Sequence, residues 1–208
     1  MKRFQLFLVA LVFLFNLIIA KPSFADRPPF VDNPDYIEVT QNINDLLAVK
    51  DNPPEGTTTE EIQKRLSELE FQKYTLETGV NWGQCTNETG QTVAVYGSKL
   101  QKLPSSYDNA LYFLANGQTT EEQWDCDGVY LPGEVKVTGI DSAGNPVAIK
   151  IVDGTQLVVK TNPDTGEIEL NVSPAKIFKT GEVNWFIPDV SQTAIATKIP
   201  NAPTNESD

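Results

Sequence analysis

Residues 146–161, PVAIKIVDGTQLVVKT, decide the fold that the sequence predicts. Two apolar runs flank Asp153-Gly154, and such a dipeptide between two strand-like runs is the strongest short-range signal of a β-hairpin. A two-residue loop would place Ile149 opposite Val158 and would put Val147, Ile149 and Ile151 on one face with Val158. The stretch therefore predicts two adjacent antiparallel strands with one buried side.

Strand patterns continue on both sides of this predicted hairpin. Val135 and Val137 alternate with polar residues before it, and Ile168 and Leu170 do so after it. Turn-forming residues separate the runs, and turn signals every ~8–12 residues are typical of antiparallel strands that follow one another in the sheet. We therefore expect a mainly antiparallel β-meander or a small barrel.

The clearest helix signals lie in the N-terminal part of the chain. Residues 39–49 have loose helical spacing, and Thr58 with Glu61 forms a capping-box pair that favours a helix start. An apolar stripe follows at Ile62, Leu66 and Leu69, and Gly79 is a suitable helix end. The sequence thus predicts an α+β fold with one or two N-terminal helices, then the meander or barrel, and one disulfide.

The first 25 residues have the layout of a secretory signal peptide. A basic start precedes an apolar run over 4–20, and Ser23 and Ala25 are small residues before the predicted cleavage point. Export would place the protein in a periplasm, an organelle lumen or the extracellular space. Because the apolar run is long, a retained N-terminal membrane anchor is the alternative. After cleavage, no further membrane span is predicted.

We expect four parts along the chain. Residues 1–25 form the signal peptide, and 26–56 form an extended, proline-containing leader with a short helix. Residues 57–190 form a single α+β domain, which is long enough to bury a substantial core. Residues 191–208 are polar and contain prolines, which predicts a disordered tail.

The charge balance and the missing histidine exclude several function classes. The chain has 16 Lys and Arg against 28 Asp and Glu, and no His. Nucleic-acid binding depends on cations that neutralise phosphates, so this balance argues against it. Catalytic triads that use histidine are excluded, as are the usual catalytic zinc sites. No cofactor is predicted, the oligomeric state is not indicated, and a protein or a glycan stays open as the partner.

Cys85 and Cys126 are the only cysteines of the chain. An even pair in an exported protein predicts one disulfide. The alternative is a redox-active pair, but such pairs are usually Cys-x-x-Cys and need a stabilised thiolate. The wide spacing and the acidic neighbours of Cys126 favour a structural bridge.

Trp82 and Trp124 each precede one of the two cysteines closely. With Tyr130 they are candidate aromatics for stacking on a ligand such as a sugar ring, or for gripping a partner surface. Other tyrosines that could contribute are Tyr96, Tyr107 and Tyr112. The alternative is that these rings pack on the disulfide and fill the core.

The densest acidic cluster of the sequence includes Glu121, Asp125 and Asp127. These carboxylates are candidate Ca²⁺ ligands, although the spacing lacks the closing bidentate glutamate of a calcium loop. A pair of carboxylates could also catalyse glycoside hydrolysis. The sequence does not single out which pair would do so.

Three triplets fit the N-glycosylation acceptor pattern, at Asn87, Asn171 and Asn205. This pattern is short and common, and it matters only where the modifying enzymes exist.

Two functions remain in view from the sequence. The first is an exported, acidic, non-enzymatic domain that binds or scaffolds another molecule through a sheet face or an aromatic surface. The alternative is a carboxylate-dependent glycan hydrolase of the cell envelope or the extracellular space.

Overall fold

The computed structural model describes residues 30–100, 106–197 and 199–205. The predicted signal peptide, 1–25, lies outside these residues. The chain divides into two compact units, Met1–Asn33 and Pro34–Asp208. Within the first unit, Phe30–Asp32 form a 3₁₀ turn that is closed by a 3.0 Å hydrogen bond from the N–H of Asn33 to the carbonyl oxygen of Phe30.

In its described residues, the second unit has three α-helices and eight β-strands. The helices are α1 Pro34–Val49, α2 Thr59–Thr78 and α3 Gln192–Ala196. The strands are β1 Gln84–Glu88, β2 Val93–Gly97, β3 Ala110–Leu114, β4 Cys126–Leu131, β5 Val147–Lys150, β6 Gln156–Thr161, β7 Ile168–Leu170 and β8 Lys176–Lys179. The predicted α+β class, with two N-terminal helices and mainly antiparallel strands, is confirmed.

The strands form two sheets. The larger sheet has the order β3-β2-β4-β5-β8 and is antiparallel throughout. The smaller has the order β1-β6-β7, with β1 and β6 parallel. Val129 and Ile149 of the larger sheet share one apolar core with Leu157 and Val159 of the smaller one. The described strands thus form a small two-sheet sandwich and no closed barrel.

The predicted hairpin around Asp153-Gly154 is wrong in its pairing. β5 pairs with β4 and β8, whereas β6 pairs with β1 and β7. A turn is present, since the N–H of Thr155 donates to the carbonyl oxygen of Val152 at 3.2 Å and Gly154 has a φ of +82°. The turn sends its two flanking strands into different sheets.

Burial on both faces of β5 explains this difference. Val147, Ala148 and Ile149 are all buried, so consecutive residues bury both faces of the strand. A strand with two buried faces needs a packed layer on each face, and an isolated two-stranded hairpin does not supply these layers. Ile149 accordingly lies opposite Val129 and Ile177.

The residues that follow β8, which we call the C-terminal segment, cover the second face of the larger sheet. Trp185, Ile187 and Ile195 pack against side chains of that face, which include Tyr96 and Tyr130. This segment also extends the edge of β3, because the N–H of Phe113 donates to the carbonyl oxygen of Pro200 at 2.9 Å. The structure therefore differs from the prediction of a disordered tail from residue 191, since apolar side chains of this segment complete a core.

The N-terminal helices pack on each other and on the sandwich. Side chains of α1 and α2 form a third core that also includes Val152. The predicted capping box is present: the Oγ1 of Thr58 accepts from the N–H of Glu61 at 3.1 Å, and the Oε2 of Glu61 accepts from the N–H of Thr58 at 2.8 Å. The hydrogen bonds that the N–H of Thr58, and secondly its hydroxyl, donate to this carboxylate lower the pKa of Glu61. α1 begins at Pro34, earlier than the predicted start at 39, and proline suits a first helical position.

Asn87 connects β1 to two neighbouring segments through a fully buried side chain. Its Nδ2 donates to the carbonyl oxygens of Gln91 at 2.7 Å and Leu114 at 2.8 Å. Its Oδ1 accepts from the N–H of Thr89 at 3.0 Å and from the Thr89 hydroxyl at 2.8 Å. The amide that a glycan would modify is thus occupied and inaccessible in the folded protein, despite the acceptor triplet.

We expect Asn87→Ala to lower the free energy of unfolding by about 2 kcal/mol, because it leaves buried carbonyl and N–H groups without partners. Urea unfolding followed by circular dichroism measures this. Asn205→Ala, at the exposed asparagine of another acceptor triplet, is the matched control and should change stability by less than about 0.5 kcal/mol. Equal effects of the two substitutions would contradict the assigned role of Asn87.

Candidate functional site

The predicted disulfide is present and joins the two sheets. Cys85 lies on β1 and Cys126 begins β4, and their Cα atoms are 6.0 Å apart. Both residues are almost fully buried, with exposures of 0% and 1%. This bridge is a structural element of the sandwich core.

Trp124 does not lie on a ligand-stacking surface. Its side chain is only 8% exposed and meets the Tyr112 ring edge-on, with ring centroids 5.3 Å apart. Its Nε1 donates to the carbonyl oxygen of Ser98 at 3.3 Å. The alternative interpretation, that this indole fills the core beside the disulfide, describes what the structure shows.

Tyr130 is also a core residue, with an exposure of 1%. Its hydroxyl lies 2.8 Å from each of the carbonyl oxygens of Pro188 and Val190. Trp82 is half-buried, so the structure does not bring these candidate aromatics together as a platform. The physical reason is the C-terminal segment, which covers the sheet face on which Tyr130 lies.

The acidic residues at the start of β4 are half-buried and hydrogen-bonded. One carboxyl oxygen of Asp125 accepts from the N–H of Gly83 at 2.7 Å, and Asp127 accepts from the Nδ2 of Asn109. Burial raises the pKa of Asp125, against the opposing effect of that N–H. Burial, and secondly the nearby Asp125 charge, raise the pKa of Asp127 to about 7.

One cation lies among these carboxylates. Lys150 of β5 forms an ion pair with Asp35 of α1, and its charge partly opposes the raised pKa of Asp127. Within the described ranges, no three His, Cys, Asp or Glu side chains are grouped so that they could hold a metal ion. The structure thus does not assemble Glu121, Asp125 and Asp127 as the predicted calcium site.

A cleft of about 800 Å³ lies between α2 and the connection from β7 to β8. Cations from three elements line it, Lys64 and Arg65 from α2, Lys160 from β6 and Lys176 from β8, together with the acidic residues Glu68 and Glu169. Gln72 of α2 holds the connection in place, since its Nε2 donates to the carbonyl oxygen of Pro174 at 3.2 Å.

A second cavity of about 280 Å³ adjoins this cleft along α2. The two share lining residues of the β7–β8 connection, among them Val172 and Ser173. The second cavity is more apolar, and Phe71, Ile151 and Val152 contribute to it. We call the two cavities together the α2 groove; it has a cationic end and an apolar end.

Weak ion pairs hold three of the groove cations. Arg65 lies 3.0 Å from Glu68, Lys160 lies 3.5 Å from Glu169, and Lys176 lies 2.9 Å from Glu38. All six side chains are partly exposed, and pairs of this kind contribute about 0–1 kcal/mol each. An incoming anion can therefore replace the glutamates at little cost.

Sequence reasoning missed the cations of the α2 groove. Each is an ordinary charged residue of a helix face or a strand, and nothing in its local sequence marks it. Only the tertiary fold brings Lys64, Lys160 and Lys176 to one cleft.

No protein-family model matches the chain, and no curated protein or solved structure shows significant similarity to it. None of the helices in the described ranges is both long enough and apolar enough to cross a membrane.

Proposed function

We propose that this protein is an exported, non-enzymatic binding domain whose α2 groove holds an anionic partner. The observation that carries the proposal is the concentration of Lys64, Arg65, Lys160 and Lys176 in one cleft of an acidic chain. Oppositely charged surfaces steer association and set specificity. The acidic remainder of the surface repels the same ligand, so binding is directed to the groove.

The shape of the groove supports a partner that is larger than a single ion. The cleft of about 800 Å³ and the apolar cavity of about 280 Å³ lie side by side along α2 and share lining residues of the β7–β8 connection. Ligand sites commonly combine an apolar lining with a few polar groups that orient the ligand. The partner should therefore present several negative charges and at least one apolar group.

We expect Lys64→Gln/Arg65→Gln to weaken binding of a polyanion about tenfold, because two charge-assisted contacts are lost. The probes are fluorescently labelled oligo-glutamate and oligo-galacturonate, and the measurement is fluorescence anisotropy at low salt. Added salt should weaken binding further, since the contacts are solvent-accessible.

The matched control is Lys50→Gln/Lys73→Gln, which removes the same charge outside the groove. Binding to this control variant should change by less than about twofold. If both double variants lose the same affinity, only the net charge matters and the groove is not the site. If neither probe binds the unchanged protein, the proposal fails.

The alternative of a carboxylate-dependent hydrolase has one supporting observation. Asp127 has a pKa of about 7 and lies near Asp125, and a neutral carboxyl beside a second carboxylate is the arrangement that glycoside hydrolysis needs. However, neither side chain is among the residues that line the α2 groove. Both accept hydrogen bonds from their own fold, so binding remains the function that the geometry supports best.

A further inference from the structure

β8, Lys176–Lys179, is an outer strand of the larger sheet. It pairs with β5 on one side, and in the described part of the chain no strand pairs with its other side. Lys176 and Ile177 of this strand also line the cationic end of the α2 groove. The groove therefore contains a free sheet edge as well as cations.

The backbone groups of Ile177 face this free edge. The N–H of Lys179 points away from β5, because it donates to the Oε2 of Glu182 at 2.8 Å. Alternate residues of an antiparallel strand direct their N–H and C=O groups to the same side. The N–H and C=O of Ile177 accordingly point outward with that of Lys179, and the Ile177 side chain is 39% exposed.

We infer that the partner of the α2 groove is an extended acidic polypeptide segment that adds as a strand to the free edge of β8. This inference rests on the proposed function and names the class of partner. In strand addition, main-chain hydrogen bonds supply affinity and pockets for alternate side chains supply specificity. The edge, the cations and the apolar cavity supply these features in one groove.

The lysines of β8 select the charge of the incoming strand. Lysine on an edge strand discourages pairing with other sheets and protects against aggregation. Lys176 and Lys179 repel a basic strand and leave a neutral strand without charge compensation, whereas an acidic strand gains contacts with them and with Lys160. The same lysines that block unspecific pairing therefore favour an acidic segment.

The adjoining cavity accepts the apolar side chains of such a segment. Acidic side chains of the segment can contact Lys64, Arg65 and Lys160 at the cationic end of the groove, and an apolar side chain can enter the cavity beside Phe71 and Val172 at the other end. A polysaccharide offers the negative charges but not the backbone N–H and C=O groups that the edge requires.

The test uses the full chain as it is exported and the labelled peptide Glu-Val-Glu-Ile-Glu-Val-Glu as the probe. Two further peptides carry N-methyl groups on alternate residues, one at the odd and one at the even positions. Each of these peptides keeps its charged side chains but lacks the backbone N–H donors along one edge of the extended chain. We expect one of the two to bind at least tenfold more weakly than the parent peptide and the other to bind within about threefold.

Two readouts on the protein accompany the binding data. Hydrogen exchange at the amide of Ile177 should slow when the parent peptide is bound, because a new hydrogen bond protects it. Ile177→Pro removes this donor and should weaken binding of the parent peptide, whereas Ile177→Val should not. The N-methylated peptides decide the question even where the proline variant does not fold.

Each outcome supports or overturns the inference. Loss of binding with only one methylation pattern, together with slower exchange at Ile177, supports strand addition. Equal binding of all three peptides shows that charge alone acts, which overturns strand addition and leaves the proposed function standing. Tighter binding of oligo-galacturonate than of the peptides makes the partner an acidic glycan and also overturns the inference. If no probe binds, the proposed function itself fails.

Discussion

Asp127→Asn is expected to stabilise the folded protein by about 3 kcal/mol at pH 8 and to leave its stability at pH 4 almost unchanged. The fold raises the pKa of Asp127 from its ordinary value of 3.8 to about 7, chiefly through burial. That difference corresponds to about 4 kcal/mol of preference for the neutral form. Partial exposure reduces the expected effect. Asparagine keeps the neutral shape and can still accept from Asn109.

The direction in which stability changes with pH follows from proton binding at Asp127. Between pH 3.8 and about 7 the folded protein holds a proton on Asp127 that the unfolded chain releases. The stability that Asp127 contributes is thus complete below the unfolded pKa and is lost as the pH rises to about 7. The charged groups that face Asp127 are Asp125, Lys150, Asp153 and Asp35, and burial together with the three carboxylates outweighs the single lysine.

The measurement is the difference in unfolding free energy between the unchanged protein and Asp127→Asn, from urea titrations at several pH values between 4 and 8. Using the difference cancels the titration of the carboxylates that do not interact with Asp127. Asp164→Asn, at an exposed position of the β6–β7 turn, is the matched control and should change the unfolding free energy by less than about 0.5 kcal/mol. A pH-independent difference for Asp127→Asn would contradict the buried-carboxyl account.

Removal of the disulfide is expected to have the other large effect. Cys85→Ala/Cys126→Ala should lower the free energy of unfolding by about 4 kcal/mol, since the bridge closes a loop with a sequence separation of 41. Alanine avoids placing a hydroxyl in the core, where both cysteines are buried. Urea unfolding of oxidised protein and of the double variant measures the loss.

Reduction supplies the control for this prediction. A thiol reductant should destabilise the unchanged protein to the level of the double variant and should have no effect on the double variant itself. If the oxidised protein and the double variant unfold at the same urea concentration, the bridge does not stabilise the fold.

Signals that act within a few residues allowed correct prediction of much of the fold. Thr58 and Glu61 cap α2 through hydrogen bonds to each other, so their spacing alone predicts the helix start. The two cysteines had only one possible partner each. The turn at Asp153-Gly154 also exists, because a glycine is present where φ is positive.

Partner choice between strands could not be predicted in the same way. Ile149 lies opposite Val129 and Ile177 in a strand that is buried on both faces, and that burial depends on the smaller sheet on one face and the C-terminal segment on the other. The α2 groove also arises from packing between segments that are far apart in sequence. Lys64 and Lys160 are far apart in sequence, and their proximity to one cleft follows from packing of α2 against the two sheets.

The parallel pairing of β1 with β6 constrains the order in which the chain can fold. β2, β3 and β4 follow β1 closely in the chain and pair with one another, and β1 exchanges backbone hydrogen bonds with residues 117–120, but its strand partner β6 comes much later. Pairings between distant segments form slowly, because the intervening chain loses entropy first. A bond between Cys85 and Cys126 can form once β4 is present, so it can hold β1 beside the larger sheet before β6 pairs with β1. We therefore expect the bridge to guide assembly as well as to stabilise the finished fold, so that reduction should slow refolding.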